Sequence, residues 1–350
     1  MTAVRPWQPD LVGRIELVEV DSLALRGNPL GDRSERPLLA YLPPSYGHAP
    51  EARYPVVYVL QGFALAVGAW MHSPSTFEPI YAESADALFV SGAAPECILA
   101  FVDGWTSLGG SQFLDSPAVG RYHSYLVEDV VPFVDDRFRT LPAAAHRALQ
   151  GHSSGGYGAL ITAMRRPDVF GSVASHSADG CFELSMLPLV AEAYRSLRDE
   201  YGSDYAAWWA DFRGRRAFSK GSDFALLECF AMAACYSPSG SGAGVESVDL
   251  PFDTATGAIR EEVWARWIEQ DPVGMIEHSL GALESLRAIW IDAGRSDEHF
   301  LDIAAGRISA GLSAAGIEHH YELFPGGHSR NQHRYPLALA YLAARLTPRS

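Results

Sequence analysis

Apolar positions along the chain follow two periods, and the change from one to the other marks out the elements. Val56-Val57-Tyr58-Val59-Leu60 and Ile98-Leu99-Ala100-Phe101-Val102 are apolar at every position. Unbroken runs of this length, rich in β-branched residues, predict strands buried on both faces. Leu11 to Val20 alternates loosely and predicts a first strand, and Pro37 to Leu42 a second that Pro43-Pro44 stops. Ala148-Leu149-Gln150 reads as the end of another buried strand, and Val169–Ser177, Ala288–Ile291 and His320–Phe324 supply three more. Between them the spacing becomes helical. Tyr125, Leu126, Val130, Phe133, Val134 and Phe138 share one face of a helix over 122–138, in which Pro132 predicts a kink or a late start. Further helices are expected over 159–164, 298–315 and 334–346.

From about 180 to 285 strands cease. Helical segments 187–200, 204–213, 222–235 and 259–269 carry Trp208, Trp209, Phe212, Phe224, Phe230, Trp264 and Trp267, and a serine- and glycine-rich linker, Ser237 to Gly244, interrupts them. Strands alternating with helices on either side of this block predict an α/β fold: a mostly parallel sheet with helices on both faces and a large helical insertion. The expected organisation is a core of residues 1–179 and 286–350 with a mainly helical lid over 180–285. Most of the lid's aromatics are expected to form its own packing core, with the remainder making an apolar, partly closed pocket.

One stretch carries candidate chemistry. Gly151-His152-Ser153-Ser154-Gly155-Gly156-Tyr157-Gly158-Ala159 contains G-x-S-x-G between a predicted strand and a predicted helix. That context predicts a nucleophile elbow, a turn so tight that a Cβ on either flanking residue would collide with the neighbouring strand or helix. The helix start then aims free N–H groups and a positive dipole end at a developing oxyanion.

A serine nucleophile needs a base and a group to orient it. In a sheet of this kind they follow the serine in the order acid, then histidine, each in a loop after a strand. The loop after 320–324, Pro325-Gly326-Gly327-His328-Ser329, offers His328 as the base. The loop after 288–291 offers Asp292, Asp297 and Glu298. Asp292 is close to the strand end and is expected to cap the loop; Asp297, further out at the start of the next helix, is the favoured acid, with Asp292 and Glu298 as the alternatives. The oxyanion donors are expected to be the N–H groups of Ser154 and Phe63, the latter in the Gln61-Gly62-Phe63 turn after the third strand. Gln61, Gly62, Trp70, His152 and Tyr157 are the candidate substrate-contacting residues. His319, His320 and His333 are read as surface or supporting residues. No metal or cofactor is expected, since these histidines lack carboxylate or cysteine partners at ligand spacing.

Composition narrows the partners. Among 350 residues 48% are hydrophobic and 20% charged, the balance of a globular protein with a sizeable core. A formal net charge of −15 argues against nucleic acid and anionic membrane as partners. No apolar run approaches the ~20 residues of a membrane span. Met1 to Trp7 shows no apolar leader segment, and Cys97, Cys181, Cys229 and Cys235 lack paired metal spacing. Reduced buried thiols and a cytoplasmic location are therefore expected. The acidic surface and the helical block are compatible with a homodimer without establishing one.

The chain resembles the putative-esterase (esterase D-like) branch of the α/β-hydrolases, which includes S-formylglutathione hydrolases, feruloyl and enterochelin esterases and mycolyltransferases. The segments that carry the resemblance are Tyr41 to Tyr46, Tyr54 to Gly62, Asp129 to Asp135, Gly151 to Leu160, Ile291 to Asp297 and Pro325 to Ser329. The resemblance implies an α/β-hydrolase fold, with the family's acid at Asp297 and its histidine at His328. It implies a serine esterase acting through an acyl-enzyme, with an acyltransferase as the alternative and a non-catalytic binding protein a distant third. Family members commonly carry His-Gly at the oxyanion turn, where this chain has Gln61-Gly62, and the block of roughly 105 residues exceeds their short crossover.

Overall fold

In the computed structural model, residues 10–73, 78–215, 218–240 and 247–346 are described. The leader reading of Met1–Trp7 and residues 241–244 of the serine- and glycine-rich linker lie outside them. Eight strands form one sheet: β1 (Arg14–Asp21), β2 (Glu35–Leu42), β3 (Val56–Leu60), β4 (Ile98–Val102), β5 (Arg147–His152), β6 (Ser172–His176), β7 (Ala288–Gly294) and β8 (His320–Phe324). Their spatial order is β1-β2-β4-β3-β5-β6-β7-β8. Only the β1–β2 and β2–β4 pairings are antiparallel. From β4 to β8 every neighbour runs parallel.

The unbroken apolar runs are explained by burial on both faces. Val56, Tyr58 and Leu60 of β3 enter one core, and Val57 and Val59 enter the other. The pleat thus divides alternate residues between two layers. Helices of seven residues or more are α1 (Tyr81–Val90), α2 (Val131–Arg137), α3 (Ser154–Arg165), α4 (Phe182–Tyr201), α5 (Tyr205–Arg215), α6 (Asp223–Tyr236), α7 (Glu261–Ile268), α8 (Leu301–Ala314) and α9 (Arg334–Leu346). Side chains of α3 and α8 belong to the first core, and those of α1 and α9 to the second. The expected α/β-hydrolase architecture is therefore present: a mostly parallel sheet covered on both faces.

Three local differences from expectation have physical causes. The helix over 122–137 takes a π-helical course at residues 125–130, where the Val131 N–H donates to Leu126 O five residues back. The wider turn lets Pro132 fall in the first turn of α2, where its missing N–H costs little. α4 starts at Phe182 instead of near 187, because Asp271, far along the chain, accepts the N–H groups of Cys181 and Phe182 at 3.0 and 2.7 Å. A cap supplied from ninety residues away leaves no local signal. α1 has no counterpart in the apolar pattern. Its buried residues, Tyr81, Ala82, Ala85, Asp86 and Phe89, include the small or polar Ala82, Ala85 and Asp86.

In the 182–285 block, Trp208, Trp267 and Phe230 are wholly buried and make the block's own core, joined to the main one. Among the described residues no helix is long and apolar enough to cross a membrane. All four cysteines are free and buried.

Candidate active site

The carboxyl ends of the parallel strands present their loops at one edge, where ligands of open α/β sheets gather. Gln61-Gly62-Phe63 follows β3, Ser153 follows β5, Asp179 follows β6, Asp297 follows β7 and His328 follows β8.

Ser153 sits between β5 and α3 with φ 58° and ψ −129°, a conformation that L-residues rarely adopt. Its N–H donates to His176 O at 3.0 Å and its carbonyl accepts from Tyr157 N at 2.9 Å, so strand and helix together hold the strain. The glycines are required by close approach. A Cβ on Gly151 would lie 2.2 Å from Gly155 O, and one on Gly155 would lie 2.3 Å from Leu60 O. Ser154, the first residue of α3, carries an N–H with no intrahelical acceptor.

His328 Nε2 lies 3.1 Å from Ser153 Oγ, and its Nδ1 lies 3.0 Å from Asp297 Oδ2. With Nδ1–H donating to the carboxylate, Nε2 is left to accept from the serine hydroxyl. Burial works against the Asp297 charge, but hydrogen bonds from the His328 ring and the His299 N–H hold its pKa below the usual carboxylate range. The three acids of the loop separate by partner. Glu298 accepts the backbone N–H of His328 at 2.6 Å. Asp292 lies inside β7 and does not cap the loop as expected. It accepts from His176 Nδ1 at 2.6 Å, Trp290 Nε1 at 2.9 Å and Arg334 Nε at 2.9 Å. Against the cost of burial, these partners hold Asp292 down at about 2.

His152 supports the histidine loop. Its Nε2–H donates to His328 O at 2.9 Å, and the two rings stand 4.6 Å apart. Burial, with the neighbouring imidazoles of His328 and His176, pushes His152 down to about 3, so it is neutral at working pH. Asn331 Nδ2 donates to both Gly327 O and His328 O, at 3.0 and 2.8 Å.

A cleft of about 310 Å³ opens at Ser153. Gly62, Phe63, His152 and His328 line it, together with Met186 and Leu189 of α4 and Phe224 and Glu228 of α6. A second cavity of about 480 Å³ lies beyond His152 and His328, bounded by Trp70, Ile80, Tyr81 and Tyr335. Of the candidate substrate contacts, Gly62 and His152 line the first and Trp70 and His152 the second. Gln61 and Tyr157 line neither. Gln61 is buried and its Nε2 donates to Leu65 O, across the turn that carries Phe63. Tyr157 packs against Phe182 and Tyr236 behind α3 and donates to Gln270 O at 3.0 Å. Both point into the protein, Gln61 from the end of β3 and Tyr157 from the side of α3 that packs against the helical block.

Sequence reasoning missed Asp179, Phe224, Glu228 and His299. Asp179 accepts from Gln112 Nε2 at 2.9 Å and Ser154 Oγ at 3.0 Å, and burial pushes its pKa up despite those bonds. The His299 ring stands 4.7 Å from that of His328. Only the i, i+4 spacing of Phe224 and Glu228 could have linked two of these residues to one face. His319, His320 and His333 have partners elsewhere: Ser309, Trp290 and Phe324. Among the described residues no group of three or more His, Cys, Asp or Glu could hold a metal ion.

The family model described as "Putative esterase" matches residues 33–343. A curated relative, an endo-1,4-beta-xylanase/feruloyl esterase of Xylanibacter ruminicola, is 26% identical over 137 residues, 37% of this chain and 18% of that protein. The chain thus spans about a fifth of that relative's length. Among solved structures, a ferulic acid esterase superposes with a TM-score of 0.59 at 19% identity, covering 97% of this chain and 100% of its own. An S-formylglutathione hydrolase from Agrobacterium tumefaciens gives 0.57 at 16% identity, covering 97% and 98%.

Proposed function

Because the chain belongs to the putative-esterase family, we propose that it is a serine hydrolase cleaving the carboxylic ester of a small molecule through an acyl-enzyme. The observation that carries the reading is the position of His328, 3.1 Å from Ser153 Oγ on one ring nitrogen and 3.0 Å from Asp297 on the other. Ser153 Oγ attacks the ester carbonyl as His328 Nε2 takes its proton, and Asp297 holds the ring and balances the imidazolium. The Phe63 and Ser154 N–H groups receive the oxyanion. The tetrahedral intermediate collapses, His328 returns the proton to the departing alkoxide, and an acyl-serine remains. Water, deprotonated by the same nitrogen, then releases the acid and regenerates the serine.

The helical block supplies one wall of the cleft through α4 and α6. We assign it the role of a lid that limits water around the acyl-enzyme. Four buried free thiols support a reducing, cytoplasmic setting as part of the same reading.

The test is direct. A fluorophosphonate probe should label the wild type at Ser153 and leave Ser153→Ala unlabelled, and p-nitrophenyl acetate turnover should fall at least about 10³-fold in that variant. Equal labelling or equal turnover of the two proteins would remove the nucleophile and the reading with it.

A further inference from the structure

Beyond Asp223, which pairs with Arg215 at its start, α6 is a core helix with one exception to its chemistry. Ala225, Leu226, Leu227, Cys229, Phe230, Ala231, Met232, Ala233, Ala234 and Cys235 are buried among apolar neighbours. Glu228 interrupts this run and, with Phe224 one turn earlier, lines the cleft at Ser153. Among the described residues none donates a hydrogen bond or an ion pair to the Glu228 carboxyl. A second carboxyl, that of Asp179, lines the same cleft, and no arginine or lysine does so among the described residues. An acid held in a largely apolar setting without a partner costs stability, so a structural role does not account for it. Beside it stand two aromatic rings: Phe224, 44% exposed, meets Phe63 edge-on with centroids 5.8 Å apart.

We propose that Glu228, with Asp179 and the rings of Phe63 and Phe224, forms a subsite for an alkylammonium group, so that the preferred substrate is a cationic ester. A carboxylate beside an exposed aromatic ring, here that of Phe224, is the chemistry that recognises such cations. The −15 net charge draws cations towards the cleft from a distance. Bound there, an ammonium group pairs with the Glu228 carboxylate, to which no described residue donates, beside Asp179, whose own partners are Gln112 and Ser154. The inference rests on the esterase reading, since the cleft is the one that holds Ser153.

Two matched substrate pairs test it at pH 8.5, where the Glu228 carboxyl is ionised. On the acyl side the pair is p-nitrophenyl 4-(trimethylammonio)butanoate and its uncharged isostere, p-nitrophenyl 5,5-dimethylhexanoate. On the alcohol side it is acetylcholine and 3,3-dimethylbutyl acetate. Wild type should favour the cationic member of at least one pair by about tenfold in kcat/KM, and Glu228→Gln should bring that ratio to within about threefold of one. Phe224→Leu should reduce the same ratio without touching the carboxyl. No preference in either pair, or one that survives in Glu228→Gln, overturns the proposal. Calorimetry with 4-(trimethylammonio)butanamide, on Ser153→Ala and on Ser153→Ala/Glu228→Gln, separates this proposal from the esterase reading. Glu228-dependent binding to the Ser153→Ala protein, with the wild type hydrolysing none of the esters, would sink the esterase reading alone. Ester hydrolysis without such binding would sink the subsite alone.

Discussion

Glu298 accepts the backbone N–H of His328 at 2.6 Å, while Asp297, its immediate neighbour, accepts from the His328 ring at 3.0 Å. Two adjacent carboxylates therefore act on one histidine through different atoms, and their substitutions should differ in kind. Asp297→Asn loses the acceptor that fixes the ring tautomer, and kcat should fall about 10³–10⁴-fold with little change in melting temperature. Glu298→Gln keeps an acceptor for the backbone N–H and should cost less than about tenfold. Asp292→Asn disturbs the buried set of His176, Trp290 and Arg334 and should lower the melting temperature by several degrees. Steady-state kinetics with differential scanning fluorimetry on all three reads the contrast. A larger kcat loss for Asp292→Asn than for Asp297→Asn would reverse the assignment.

Gln61 tests the oxyanion turn. Its position after β3 suggests a substrate contact, but its amide donates to Leu65 O and bridges the loop that holds Phe63. Gln61→Ala should therefore loosen the Phe63 N–H for every ester alike, lowering kcat about tenfold while KM changes less than about threefold. A panel of p-nitrophenyl esters from acetate to octanoate decides it. A change confined to one chain length would restore a direct contact with substrate.

The parts of the fold that repeat were legible in the sequence, and so were the residues whose chemistry depends on local backbone. β3 and β4 showed as unbroken apolar runs because both faces of the sheet are covered. Ser153 showed because its turn admits no Cβ at Gly151 or Gly155. What stayed hidden depends on contacts between distant segments. The start of α4 is set by Asp271, and α1 buries alanines and an aspartate instead of a regular apolar stripe. Glu228 reads as an ordinary helical acid until α6 is seen to be buried almost all round. Gln61 and Tyr157 stand next to motif residues in the chain, yet adjacency does not fix which side of the backbone a side chain leaves.

Ser153 stores backbone strain. At φ 58° and ψ −129° a glycine fits without a Cβ clash, whereas alanine retains it. Ser153→Gly and Ser153→Ala should both be inactive, but the glycine variant should be the more stable by about 1 kcal/mol, after allowing for the greater freedom of glycine in the unfolded chain. Urea unfolding of the two variants at pH 7 measures the difference. An alanine variant as stable as the glycine variant, or more so, would show that the elbow is relaxed.

Glu228 makes a prediction about stability that needs no substrate. Burial, together with the negative charges of Asp179 and Glu192, pushes its carboxyl up to about 8, against about 4.3 in an unfolded chain. Between those two values the native state holds a proton that the unfolded state has released, so the unfolded state binds fewer protons and stability falls as pH rises. The cost is absent below about pH 4, grows to about pH 8 and is then constant. Each pKa unit corresponds to about 1.4 kcal/mol, and because the carboxyl keeps some contact with solvent at the cleft, the expected net cost is about 1–2 kcal/mol. Glu228→Gln, which cannot ionise, should therefore be nearly as stable as wild type at pH 5 and more stable by about that amount at pH 8.5. Saturating 4-(trimethylammonio)butanamide at pH 8.5 should raise the melting temperature of wild type and leave that of Glu228→Gln in place. Unfolding curves for both proteins at the two pH values check the sign. If the glutamine variant were less stable at pH 8.5, the native fold would be holding the carboxylate in a stabilising contact, and the reason for assigning Glu228 to substrate would be gone.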